Sequence, residues 1–328
     1  MSSRPPSLAW DALTVAAILA VVGSALVLHV LWFAPNYDVD WLLIAARRML
    51  DGGTWLSDFD EVTPPLVLVL MAPAVSLAPL TGGDPYPLFA ALVCLLILLS
   101  LGLSAPLVDW SLSGHPASRR MALVAIAVVL ALEPGFRFGQ REHLMVILLL
   151  PGLLWYAARE AGRPSPLTPM AWFCLALAAL GLLIKPYYLV VAVALVLVRF
   201  AHTRDWRLAL FDAPVGVLAA AVALLALMVA FLFPEYLEEV QFENQTYGAV
   251  ASGWLHVLEV NREAIASCCI LALLAELVTG PLRQVLRCLS VAAISALAVA
   301  ILQKKGGAYH MLPTVELAAA GLAIAAAA

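Results

Sequence analysis

Charge is what this sequence has least of. Of its 328 residues, 18 are Lys or Arg and 22 are Asp or Glu, 12% of the chain, about half the share an ordinary globular domain carries. With acids in slight excess there is no basic field for a polyanion, which excludes a nucleic-acid binder. Cysteine is also sparse. Cys94, Cys174, Cys268, Cys269 and Cys288 lie in or at the ends of apolar stretches and read as small hydrophobes, not as a disulfide or metal framework. No glycine-rich phosphate loop appears, and no repeat of a solenoid or propeller is visible. What is present is hydrocarbon: 64% of the residues are hydrophobic and the mean hydropathy is +0.98. A chain of this kind is neither a disordered tail nor a water-soluble domain. The expected fold class is all-α, a polytopic helical membrane protein forming a single transmembrane domain over 1–328.

A helix crossing the hydrocarbon core needs about 20 mainly apolar residues. Such runs begin near Trp10, Tyr86, Met121, His143, Pro169, Tyr187, Ala213, Ala264, Cys288 and Pro313, predicting about ten spans. The first has only Arg4 before it and a poor cleavage context at Ala34-Pro35, so it reads as a signal-anchor helix. Pro64 to Leu80 is apolar but short and interrupted by Pro73 and Pro79, which predicts a re-entrant or juxtamembrane segment. On that reading ten of the 18 basic residues, all arginines, share one face with six of the 22 acids. By the positive-inside rule that face is cytoplasmic, and so are both termini.

The polar clusters then collect on the outer face, in a first loop over 35–80, a long loop over 234–262 and three shorter turns. In the first loop Asp38 and Asp40 stand between aromatics at the membrane boundary, where a carboxylate can deprotonate an acceptor hydroxyl. Asp51, Asp58, Asp60 and Glu61 follow, and solvation of the loop accounts for them equally well. Arg137, Arg141, Glu142 and His143 crowd the mouth of a span, an arrangement suited to a phosphate with Glu142 orienting an arginine, or to snorkelling at the interface. Lys185 sits in a tight turn before Pro186. Lys304, Lys305, Tyr309 and His310 surround Gly306 and Gly307 in a turn that suits a phosphate cradle or a flexible basic link. The 234–262 loop carries Phe242, Tyr247, Trp254 and His256, a composition that suits a lid or an acceptor surface. Asp38, Asp40 and Glu142 are also the oxygen donors that a divalent metal would prefer.

The order of Asp38, Ala45-Ala46-Arg47-Arg48-Met49-Leu50, Gly53-Thr54-Trp55-Leu56 and Pro64-Pro65-Leu66 resembles the first outer loop of membrane-integral GT-C glycosyltransferases. Protein O-mannosyltransferases and lipid A aminoarabinose transferases offer the most similar pattern. Val39 stands where that pattern usually has Glu, and Thr63 where it has Lys. Arg137 and Glu142 keep the spacing of a second loop of the family, and Lys304 before Tyr309 and Leu312-Pro313 is similar to a third. The resemblance implies an inverting transferase that takes a sugar from a polyprenyl-phosphate donor and passes it to a glycan, lipid or protein acceptor of the envelope. It places the active site on the outer side of a plasma membrane of bacterial type. Asp38 would be the base, with Asp40 supporting it. Arg137, Arg141, Lys304, Lys305 and His310 would hold the donor phosphate, with Glu142, His143, Lys185 and Tyr309 in support. Two other classes remain: a transporter or flippase for lipid-linked sugars, and a non-catalytic subunit of envelope assembly.

Overall fold

The structure, a computed structural model, describes residues 10–162, 167–247, 252–304 and 308–328, and in the 234–262 loop the side chains of 242–251 and Trp254 are outside that description. Regular structure among the described residues is helical. The helices are α1 (Ala12–Leu31), α2 (Tyr37–Leu50), α3 (Pro65–Leu77), α4 (Tyr86–Ser111), α5 (Pro116–Ala131), α6 (Arg141–Glu160), α7 (Pro169–Ile184) and α8 (Leu189–Thr203). They continue with α9 (Trp206–Leu210), α10 (Ala213–Leu232), α11 (Tyr236–Tyr247), α12 (Trp254–Val260), α13 (Arg262–Leu277), α14 (Gly280–Leu302) and α15 (Leu312–Ala327). Seven of the described helices are long and apolar enough to cross a membrane: α1, α4, α6, α8, α10, α14 and α15, with α8 and α15 extended by the tight turns before them.

Local chemistry starts these helices. The Asp11 carboxylate accepts from the Thr14 amide and hydroxyl at the head of α1, and the Asn36 side chain accepts from the Asp38 amide at the head of α2. Proline occupies the first turn of α3, α5, α7, α10 and α14, where its missing N–H costs nothing. Once formed, the helices pack according to their small residues. A Cβ on Gly181 of α7 would meet the Met145 carbonyl oxygen of α6 at 2.9 Å, and one on Gly152 of α6 would meet the Cys174 carbonyl oxygen of α7 at 3.0 Å. Each glycine thus lets the facing backbone approach, the small-residue contact that brings apolar helices together without a hydrophobic driving force. Helix α6 is the centre of the molecule, buried over most of its length. In contrast α10 buries Val229 alone and α8 only Val191, so both lie at the periphery.

Ionic ties mark two ends. At one, Arg119 and Arg120 of α5 reach Asp11 at 3.5 and 3.2 Å, Arg199 of α8 contacts Glu160 of α6 and Asp212, and Glu276 of α13 pairs with Arg283 and Arg287. Opposite charges that sequence patterning puts on one face are therefore also partners in space. At the other end lie the loops around Asp38, Arg141 and Lys185. Helix α3 both begins and ends at this second end. Its start follows Thr63, which accepts a hydrogen bond from Arg141, and the chain resumes at Tyr86, whose hydroxyl is 3.1 Å from Nδ1 of His29 in the last turns of α1. His29 in turn stacks on Phe138, just before α6, at 4.1 Å between ring centroids. Both ends of α3 thus lie at this end of the bundle, joined by one continuous apolar helix that contains Pro73.

Candidate functional site

The site grows from the sharp turn that opens α6. Gly139 adopts φ +76°, and a Cβ there would lie 2.6 Å from Phe89 Cε1, so glycine alone fits. That turn throws Gln140, Arg141 and Glu142 in three directions. The Gln140 amide nitrogen donates to Asn36 at 2.7 Å and to Asp38 Oδ2 at 3.2 Å. Arg141 spans two acids, Asp38 at 3.7 Å and Glu61 at 3.5 Å. Glu142 turns inward, buried, and pairs with Lys185. His310 Nδ1 approaches the same carboxylate oxygen at 3.6 Å.

Lys185 is held where two helices meet, between α7 and the turn into α8. Its ammonium lies 5.6 Å from the ring centre of Tyr187 and 5.5 Å from that of Tyr309, within cation–π range. Burial pulls its pKa down to about 8, with the Arg141 charge adding to the shift and Glu142 opposing it. The 35–80 segment is fastened from both sides. Trp55 Nε1–H donates to the Glu61 carbonyl at 2.9 Å and the Tyr236 hydroxyl to the Val62 carbonyl at 3.0 Å, while the Thr63 amide donates to Glu61 Oε1 at 2.7 Å. Trp55 also meets Phe59, Phe233 and Tyr236 edge-on or tilted. The 234–262 segment therefore touches the 35–80 segment through Tyr236, and the turn after α14 through the Ser252 amide, which donates to the Lys304 carbonyl at 2.8 Å.

Of the residues singled out from the sequence, Asp38, Arg141, Glu142, Lys185, Tyr309 and His310 converge. Asp38 keeps 28% of its side chain exposed while Arg141 keeps 15% and Glu61 7%, so the aspartate faces outward and its partners lie behind it. Asp40 does not converge with it. Two positions apart on a helix, the side chains point away from each other, and Asp40 is exposed. Arg137 turns aside to Glu133 at 3.6 Å. His143 is buried behind the turn, 3.8 Å from Glu316. Lys304 sits in a left-handed conformation past the end of α14, and Lys305 lies outside the described residues. Asp38, Asp40 and Glu142 are dispersed, and among the described residues no group of three or more His, Cys, Asp or Glu side chains is arranged for a metal ion. Sequence reasoning missed Gln140 and Asn36 as partners of Asp38, and Glu316 altogether. The one signal for Gln140 was its place between a glycine that needs positive φ and a buried charge.

Beneath this cluster lies an apolar cavity of about 670 Å³. Leu149, Leu182 and Leu189 line it at the end toward Lys185, Ala192, Val193, Leu218 and Ala219 along its length, and Arg199, Trp206 and Asp212 at the far end. Its walls are α6, α7, α8 and α10, the last two being the helices with the least buried surface. Comparison with family models, with curated proteins and with solved structures gives no match to this chain.

Proposed function

We propose that the protein is a membrane-integral glycosyltransferase of GT-C type with ten spans. It transfers a sugar from a polyprenyl-phosphate donor to an acceptor on the outer face, with inversion. The observation that carries the reading is the stacking of two environments. A partly exposed carboxylate stands in front of Arg141 and Lys185, and an aliphatic slot between peripheral helices begins at Leu182 and Leu189, one turn on either side of Lys185. That pairing suits a substrate with a charged head and a hydrocarbon tail, and the slot supports a lipid-borne donor over a nucleotide sugar. The ten-span topology adds α5, α7 and α13, helices of 16 residues each of which α7 is apolar throughout and the other two carry charged residues near their ends, to the seven longer ones, and treats α3 as a half-crossing.

In this mechanism Asp38 takes the proton of the acceptor hydroxyl or amine as that atom attacks the anomeric carbon. The bond from that carbon to the phosphate oxygen breaks on the opposite side, and the phosphate leaves with the electron pair. Arg141 and Lys185, fixed by their carboxylate partners before substrate arrives, stabilise the leaving charge, as preorganised cations in a water-poor site do. His310 and Lys304 stand on the same outer side. Arg137, engaged with Glu133, belongs to the rim and not to the phosphate cradle. Asp40, on the exposed face of α2, meets the acceptor.

The test is transfer of radiolabelled sugar from polyprenyl-phosphate donors in membranes carrying equal amounts of the wild type or Asp38→Asn. Label that moves with the first and not the second supports the reading. Equal transfer removes Asp38 from the chemistry. A transporter or flippase for lipid-linked sugars is favoured by one observation, the burial of Glu142, His143 and Glu316 within membrane-length helices. Absence of transfer from every donor, with Asp38-dependent movement of lipid-linked sugar across vesicles, selects that alternative.

A further inference from the structure

Glu316 lies in the second turn of α15, fully buried, and neither carboxyl oxygen has a hydrogen-bond partner. Its nearest ionisable neighbour is His143, at 3.8 Å. That ring is committed on both sides. The Gly139 amide donates to Nδ1 at 2.9 Å, so Nδ1 bears no proton, and Nε2 carries the proton it donates to the Leu130 carbonyl at 2.7 Å. A second proton, on Nδ1, would point into the Gly139 N–H. The imidazole is therefore neutral and cannot supply the positive charge that a buried carboxylate requires.

Of the other charged groups around Glu316 only Arg137 is positive, and its charge is shared with Glu133. Glu133, Arg137 and Glu142 are the ones that act on it. Arg137 is paired with Glu133 and Glu142 with Lys185. On α13 and α14, which pack against α15, Glu276, Arg283 and Arg287 form their own exposed group, and Arg262 and Glu263 are exposed as well. The short turn before α15 brings His310 and Tyr309, which face Glu142 and Lys185. From α1, His29 bonds Tyr86.

We infer that Glu316 is a positioning residue of the outer site, carrying a proton in this state and acting through His143 on the turn that aims Gln140 at Asp38. The coupling is short and continuous. His143 Nδ1 holds the Gly139 amide, Gly139 is the residue before Gln140, and Gln140 donates to Asp38. Loss of the Glu316 proton creates a carboxylate that competes with the Leu130 carbonyl for the His143 Nε2–H. A ring drawn toward Glu316 releases the Gly139 amide, and the turn loses its fastening. The site is thus intact while Glu316 is neutral and loosens as pH rises through its ionisation.

The test reads the histidine itself and does not depend on the transfer reaction. The full chain in lipid nanodiscs, labelled with ¹⁵N in histidine rings and glutamine side chains, is followed by NMR from neutral to alkaline pH. His143 and Gln140 are assigned with His143→Asn and Gln140→Ala. The expected result is a neutral His143 ring with its proton on Nε2 at neutral pH. The His143 and Gln140 signals then move together on the alkaline side in the wild type and stay fixed in Glu316→Gln. An imidazolium at neutral pH overturns the inference, because Glu316 is then the ionised partner. So does an identical pH response in both proteins, or a moving His143 with a stationary Gln140. The tautomer at neutral pH is read in the wild type, so that part of the test stands whether or not Glu316→Gln folds.

Discussion

At the scale of single residues the site rests on unequal exposure. Asp38 faces outward while Arg141, Glu142 and Lys185 are held behind it. Replacing Asp38 by Asn preserves shape and its contact with Gln140 and removes the carboxylate that the proposed mechanism uses as base. Transfer should fall by ~100-fold or more, the span general-base catalysis contributes, with the protein's thermal stability unchanged. Asp40→Asn should leave the rate at saturating acceptor within a few-fold and alter only acceptor KM. The second residue-scale prediction concerns Lys185. Its pKa, drawn down to about 8 by burial, means that the folded state favours its neutral form more than the unfolded chain does. Above about pH 8 the folded protein therefore holds fewer protons than the unfolded one, and this group's contribution to stability rises with pH. Phosphate binding runs the other way, because the ammonium is lost. Initial rates measured from pH 7 to 10 should fall on the alkaline side while melting temperature does not fall with them through this group. Breaking the pair alone, as Glu142→Gln, strands a buried ammonium and should cost about 3–5 kcal/mol in thermal or chemical denaturation. The double change Glu142→Leu with Lys185→Met should recover most of that stability and none of the activity.

At the scale of elements the glycine contacts and α3 are the informative features. Gly181→Val puts a branched side chain against the Met145 carbonyl of α6 and should destabilise the protein by about 1–3 kcal/mol, as overpacking does, measured by thermal unfolding in detergent. For α3, a cysteine placed at Gly82 should react with a membrane-impermeant thiol reagent added from outside, because both ends of the segment lie at the same end of the bundle. Labelling only after permeabilisation would make α3 a full crossing. The existence of the long apolar helices was legible in the sequence because hydrocarbon thickness fixes their length. That α3 falls short of a span was legible from Pro73 and Pro79, which interrupt its apolar run. The convergence of Asp38 with Arg141 was suggested by spacing, but the turning-aside of Arg137 was not. That depends on the sharp turn at Gly139 and on Glu133 one helical turn earlier, and a charge run in sequence carries no direction. Glu316 was invisible for a simpler reason, since nothing in an alanine-rich span marks which neighbour a lone acid will meet.

At the scale of the molecule the slot lined by α8 and α10 begins one turn from Lys185, and the proposed function lays the donor's hydrocarbon tail in it. Ala219→Trp, midway along that slot, should raise KM for long-chain polyprenyl donors by an order of magnitude and leave a short-chain analogue's KM nearly unchanged. Equal effects on both would mean that the slot does not hold the tail. The two ends of the bundle are tied by separate ionic groups, and the arginine-rich one coincides with the face the positive-inside rule makes cytoplasmic. The gathering of arginines at one end could therefore be read from charge alone, whereas the choice of which peripheral helices part to form a slot could not.

The Glu142–Lys185 pair also bears on how the chain enters the membrane. Its members sit at the start of α6 and just past the end of α7, successive segments that pack closely. An acid and a base emerging one after the other from an insertion channel can neutralise each other as a hairpin, sparing each the penalty of entering lipid alone as an ion. His310 and the whole of α15 arrive afterwards and close over a pair already formed. Separating the two charges in synthesis, by expressing the chain as fragments cut between α6 and α7, should therefore lower the membrane-integrated yield of both halves more than a cut elsewhere in the bundle.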